Sequence, residues 1–79
     1  HMGEDQLVSD VFMNIAKTVE EVWVGHIMPE DDWDGIWHYD VSEPMGIWAT
    51  TFINDYARAP NRDETVEQAL VLAHRRRAA

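Results

Sequence analysis

Three side chains with metal-binding chemistry, His26, His38 and Asp40, flank the acidic stretch Glu30, Asp31, Asp32 and Asp34. Imidazole and carboxylate together suit zinc or nickel when three or four of them converge. No tight spacing such as H-E-x-x-H fixes that convergence here, so the three are metal candidates only, and no metal or cofactor is expected. Glu30, Asp32, Asp34 and Gly35 imitate the first half of a calcium loop, where alternate carboxylates meet on one cation and a glycine makes the bend. The second half fails: the place for the closing bidentate Glu holds Val41. An acidic, solvated turn is the plainer reading. For catalysis nothing converges. Ser9 and Ser42 have no neighbouring histidine, and the pairs Glu20-Glu21 and Asp31-Asp32 diverge on any regular backbone. The absence of cysteine removes thiol nucleophiles, thiolate zinc sites and disulfides. No catalytic residue is assigned, and an enzyme is not expected.

Charge narrows the choice of partners. Residues 1–55 carry twelve acids against Lys17 alone, a balance of -11, whereas residues 56–79 carry five arginines against Asp63, Glu64 and Glu67, a balance of +2. The sum is the net charge of -9. A phosphate contact needs a cation to displace counterions, so direct nucleic-acid binding is disfavoured over most of the surface. Arg75, Arg76 and Arg77 read as cations complementing the negative end of a helix dipole.

Seventy-nine residues suit one domain, because a second core would have too little left to bury. Residues 1–3 are read as a cloning remnant and disordered start, and residues 4–79 as a single compact domain. The 46% apolar content implies a folded chain. No apolar run approaches the ~20 residues that span a bilayer, and no leader pattern opens the sequence. No membrane association and a cytoplasmic location are the expectation.

Leu7, Val8, Val11, Phe12, Ile15, Ala16, Val19 and Val22 recur at steps of three and four, predicting a helix over about residues 4–20. Val22, Trp23, Val24 and Ile27 suit a strand by their β-branched and aromatic density, and Pro29 ends it. Pro29 to Gly35 reads as a loop, Ile36 to Val41 as a strand, Ser42 to Gly46 as a turn and Ile47 to Asn54 as a third strand. Asp63 is expected to cap a last helix running through Thr65, Val66, Ala69, Leu70 and Ala73. The predicted fold is α+β, a three-stranded antiparallel meander in the order α-β-β-β-α, with both helices on one sheet face. Double-stranded-RNA-binding domains share that order, but their basic residues at the start of the last helix are here Asp63, Glu64 and Glu67. The likeness is topological and implies no function.

Alternation along strands sorts the side chains by parity. Trp23, Ile27, Trp37, Tyr39, Val41, Trp48 and Phe52 fall on one face, and Val22, Val24, His26, Ile36, His38, Asp40, Ile47, Ala49, Thr51 and Ile53 on the other. Two helices cover one face, which leaves an apolar one over. Trp23, Trp37, Tyr39, Trp48 and Phe52 are therefore the expected interface or pocket residues. The expectation is a small acidic, non-enzymatic protein-interaction module that homodimerises or docks a protein partner through a tryptophan-rich sheet face. The alternatives are a small-molecule-binding domain with an aromatic pocket walled by Trp37, Tyr39, Trp48 and Phe52, and an acidic nucleic-acid mimic that inhibits a DNA-binding protein.

Overall fold

Every element of the described chain is helical. The computed structural model describes the backbone of residues 4–78 and the side chains of residues 9–78; residues 1–3, and the side chains of Leu7 and Val8, lie outside it. Helix α1 (Glu4–Val22) continues into a π turn (Trp23–Ile27), and α2 (Trp33–Ile36) into a second π turn (Trp37–Val41) that leads directly into α3 (Ser42–Tyr56). Helix α4 (Arg62–Ala78) is last. The α+β class, the α-β-β-β-α meander and its two sheet faces are thereby overturned: no strand exists among the described residues.

Three rods result, residues 4–27, 33–56 and 62–78, joined by links of a few residues that favour antiparallel neighbours. Trp23 meets Trp33 while Phe12 lies against Gly46, so the first two rods run in opposite directions. The third returns in the direction of the first: Arg62 pairs with Glu21 at 3.0 Å, and Arg77 donates to the Ile27 carbonyl at 2.6 Å. The molecule measures 42 × 21 × 19 Å.

The buried side chains explain why these segments are helices. Ile15, Val19, Val22 and Trp23 on the first rod, Val41, Met45 and Ala49 on the second and Thr65, Ala69, Leu72 and Ala73 on α4 follow steps of one, three and four, which hold one helical face. Two steps are longer: Trp23 to Met28 and Ile36 to Val41 are each five residues apart. The π turns fall on these two steps. The Met28 N–H donates to the Trp23 carbonyl at 2.7 Å, and the Ser42 N–H to the Trp37 carbonyl. A turn with an i to i+5 hydrogen bond holds one extra residue, so the fifth side chain comes round to the core side.

The second π turn also admits Pro44 as the third residue of α3. Proline lacks an N–H, and its ring collides with the carbonyl four residues earlier in a regular helix. Here that residue is Asp40, inside the widened turn, and the Ser42 hydroxyl donates to the nearby His38 carbonyl at 3.4 Å. Gly35, Pro44 and Gly46, which read as turn residues in the sequence, all lie within helices.

A polar clasp ties the rods together beside the first link. The fully buried Trp23 donates its indole N–H to Asp31 Oδ2 at 2.8 Å, which satisfies the one polar atom of that ring. Arg76 from α4 lies between two carboxylates, 3.5 Å from Asp31 and 2.7 Å from Asp40. At the other link the cap is Asn61, not Asp63. Its Oδ1 accepts from the Glu64 N–H at 2.8 Å while its own N–H donates to Glu64 Oε1 at 2.9 Å, a reciprocal capping box. Arg58 grips the same carboxylate with two bonds of 2.9 and 3.0 Å. The Arg58 hydrogen bond, helped by the Asn61 N–H, lowers the Glu64 pKa from 4.5 to about 2.

Two outcomes are expected. Ala57 ends α3 in the left-handed region at φ 56°, where an L side chain is strained and glycine is not. Ala57→Gly should raise stability by roughly 0.5–1 kcal/mol; an unchanged or lower urea midpoint contradicts the assignment. Because the folded-state pKa of Glu64 is depressed, its charge stabilises the fold above pH 4.5, and that contribution disappears as pH falls toward 2. Glu64→Gln should therefore be less stable than wild type at pH 7, with the gap closing near pH 2 in paired urea melts.

Candidate functional site

The five aromatic residues expected to share a face are distributed among three places. Trp23 is 1% exposed and belongs to the core. It begins a series of tilted rings, Trp23 to Trp33 at 5.9 Å, Trp33 to Trp37 at 5.7 Å and Trp37 to Phe12 at 5.5 Å, that stitches the first rod to the second. Trp48 and Phe52 form a separate ladder with Tyr56 along α3, at 5.7 and 4.6 Å, with the Arg58 guanidinium 4.9 Å from the Phe52 centroid. Tyr39 is 88% exposed and joins neither set. The sheet parity that united them has no counterpart on a helix, where residues two apart point to different sides.

The metal candidates also separate. His26 and His38 are exposed, and Asp40 is engaged by Arg76. No group of three His, Cys, Asp or Glu among the described residues can hold a metal ion. Of the residues that imitate a calcium loop, Asp34 and Gly35 lie in α2.

A different feature emerges between α1 and α3, a cleft of about 580 Å³. Val11 and Phe12 form one wall, and Ile47, Ala49 and Ile53 the other. Gly46 keeps the floor low: a Cβ there would stand 3.8 Å from the Phe12 ring. Ile47 is 62% exposed on the rim. Ser9, Ser42 and Thr50 add hydroxyls, and Glu43 is the one charged residue among the described residues of the lining. No histidine or lysine is among the described residues lining the cleft. What it offers is a seat for apolar side chains with a few polar groups around it.

Helices α1 and α3 together hold seven acids against Lys17 in sequence; of these Glu43 lines the cleft, and Glu21 pairs instead with Arg62 of α4. The sequence held a signal for this cleft. Residues 43, 46, 47, 50 and 53 fall on one side of a helix, but the strand reading put Ile47 and Ile53 on a sheet face and left Phe12 and Gly46 out of any site.

No family model matches the chain, and no curated protein or solved structure is significantly similar to it. No described helix is long and apolar enough to cross a membrane.

The space above Phe12 yields a further expectation. Gly46 sits inside α3 with ordinary van der Waals room for a methyl group. Gly46→Ala should stabilise the protein by up to about 1 kcal/mol through helix propensity. A lower melting temperature would show that the floor of the cleft is already closed.

Proposed function

We propose that this protein is a non-enzymatic interaction module that receives a basic amphipathic helix of a partner protein in the cleft between α1 and α3. Helix-in-groove recognition requires an apolar trough between helices and complementary charge on its flanks. The first requirement is supported by the trough of Phe12, Ala49, Ile47 and Ile53, and the second by Glu43 in its lining and by the net charge of -9. The exposed Ile47 beside the glycine floor is the observation that carries the reading, since water is otherwise left against an unpaired branched side chain.

Charge separates this occupant from a second copy. Two chains of -9 repel each other as they approach, whereas a basic helix is drawn in and oriented. A nucleic acid meets the same repulsion as a second copy.

The test uses a synthetic Leu/Lys amphipathic helix of about 18 residues, some 27 Å long. Calorimetric titration should show binding that weakens as salt rises. Ile47→Asp should reduce affinity by about tenfold or more, as for a central apolar anchor. The added carboxylate would strengthen a purely electrostatic attraction, so only seating of apolar side chains predicts that loss. Equal or tighter binding by Ile47→Asp overturns the proposal. So does sedimentation showing that a dimer of this protein already occupies the cleft.

A further inference from the structure

Ile36 and Trp37 compete for one place. Helix α3 and the turn before it present Val41, Met45 and Ala49 to the interior, and α2 meets that stripe through Ile36, which is 8% exposed, while Trp37 beside it is half-buried. In a regular helix residues five apart stand roughly 140° apart around the axis, and residues four apart only about 40°. With α3 unmoved, a regular turn would therefore put Trp37 next to Val41 and turn Ile36 outward. Trp33 lies four residues before Trp37 and would follow it. The result is again an apolar stripe, formed by Trp33, Trp37, Val41, Met45 and Trp48. Hydrophobic spacing thus permits two registers of α2 on α3, and the π turn selects the one with Ile36 inside. The first π turn offers no such choice, because its rod ends at Met28 with no helix running directly on from it.

Pro44 decides between the two registers. In the regular one its ring would collide with the Asp40 carbonyl, whereas Asp40 here lies inside the widened turn. The departure shows at Val41, whose φ of -115° is far from the helical value of roughly -63°. The Ser42 N–H reaches back five residues to the Trp37 carbonyl. In a regular turn its acceptor would be the His38 carbonyl, which here takes the Ser42 hydroxyl at 3.4 Å. The π register also keeps Trp37 against Phe12 at 5.5 Å and Trp33 against Trp23 at 5.9 Å, contacts that a turned α2 would give up. Phe12 is a wall of the α1/α3 cleft, so the register of α2 sets what backs that wall.

We propose that Trp37–Val41 is a two-state register element, π with Ile36 inside and α with Trp37 inside, and that Pro44 is the lock that holds the native chain in the π state. Packed elements of this kind move between discrete arrangements and do not deform continuously. One turn thereby controls whether Phe12 has an aromatic ring behind it. The register acts on the shape of the cleft whatever docks there, and so stands apart from the helix-docking reading.

The test pairs Pro44→Ala, which opens the lock, with Ile36→Asn, which penalises the π state by burying an amide. Hydrogen-bond scalar couplings in NMR spectra of isotope-labelled protein identify the carbonyl that accepts the Ser42 N–H. Wild type should show coupling to Trp37, and the Pro44→Ala/Ile36→Asn double variant coupling to His38. In urea melts, Ile36→Asn should lower the midpoint markedly in wild type and by less in the Pro44→Ala background, since only there can the new amide turn outward. Coupling to Trp37 in a folded double variant, or an equal midpoint loss in both backgrounds, overturns the proposal. If the double variant does not fold, Pro44→Ala alone decides. Microsecond-to-millisecond relaxation dispersion at its Trp37 and Ser42 amides, absent from wild type, supports the second register, and flat profiles contradict it.

Discussion

A helix can keep one stripe of side chains against its neighbours across a five-residue step only by taking up an extra residue, and this protein meets that constraint twice. Trp23 and Met28 both reach the core because Trp23–Ile27 is a π turn, and Ile36 and Val41 both reach it because Trp37–Val41 is another. With a regular α-helical turn at either place, the next buried residue would rotate by roughly 100° away from the interior. In the second rod that would carry Val41, Met45 and Ala49 together out of the core. The position of α3, and so of the cleft it forms with α1, follows from the second π turn.

The same turns set the electrostatics. Asp40 lies within the second π turn, and Asp31 lies in the link that the first π turn feeds, which brings their carboxylates to either side of Arg76. An arginine run on a chain of -9 would ordinarily be read as a patch facing outward. Two of its three members instead reach back to the other rods, Arg76 to Asp31 and Asp40 and Arg77 to the Ile27 carbonyl. The C-terminal cations of α4 therefore serve the bundle as cross-links as well as complementing the helix dipole.

The sequence was legible where its spacing was regular. The three- and four-residue steps from Val11 to Val22 identified α1, and the run from Thr65 to Ala73 identified α4, although its cap was placed two residues late. Between them the signal failed for definable reasons. The five-residue steps break helical periodicity, and Asp34-Gly35 and Pro44-Met45-Gly46 carry the local chemistry of turns. Trp, Ile, Val and Thr favour strands only weakly, and tertiary packing overrides that preference. Trp48 and Phe52 would share a side in either conformation, being four residues apart, whereas Trp37 and Tyr39 share one only in a strand. The exposure of Tyr39 beside the half-buried Trp37 is the direct signature of that difference. Of the candidate site, only the acidity of the chain as a whole was readable from composition. The floor of the α1/α3 cleft was not, because Gly46 was taken for a bend when it lies inside α3 against Phe12.

The Arg76 clasp and the α1/α3 cleft differ in how far their groups are satisfied. Around Arg76 the polar groups already satisfy one another. Between α1 and α3 the Ile47 side chain is left exposed. Burying that side chain gives a gain with no resident contact to displace, on the order of 1.5–3 kcal/mol for a fully covered isoleucine. The apolar cleft therefore has surface left to bury, whereas the clasp around Arg76 has its charges already paired.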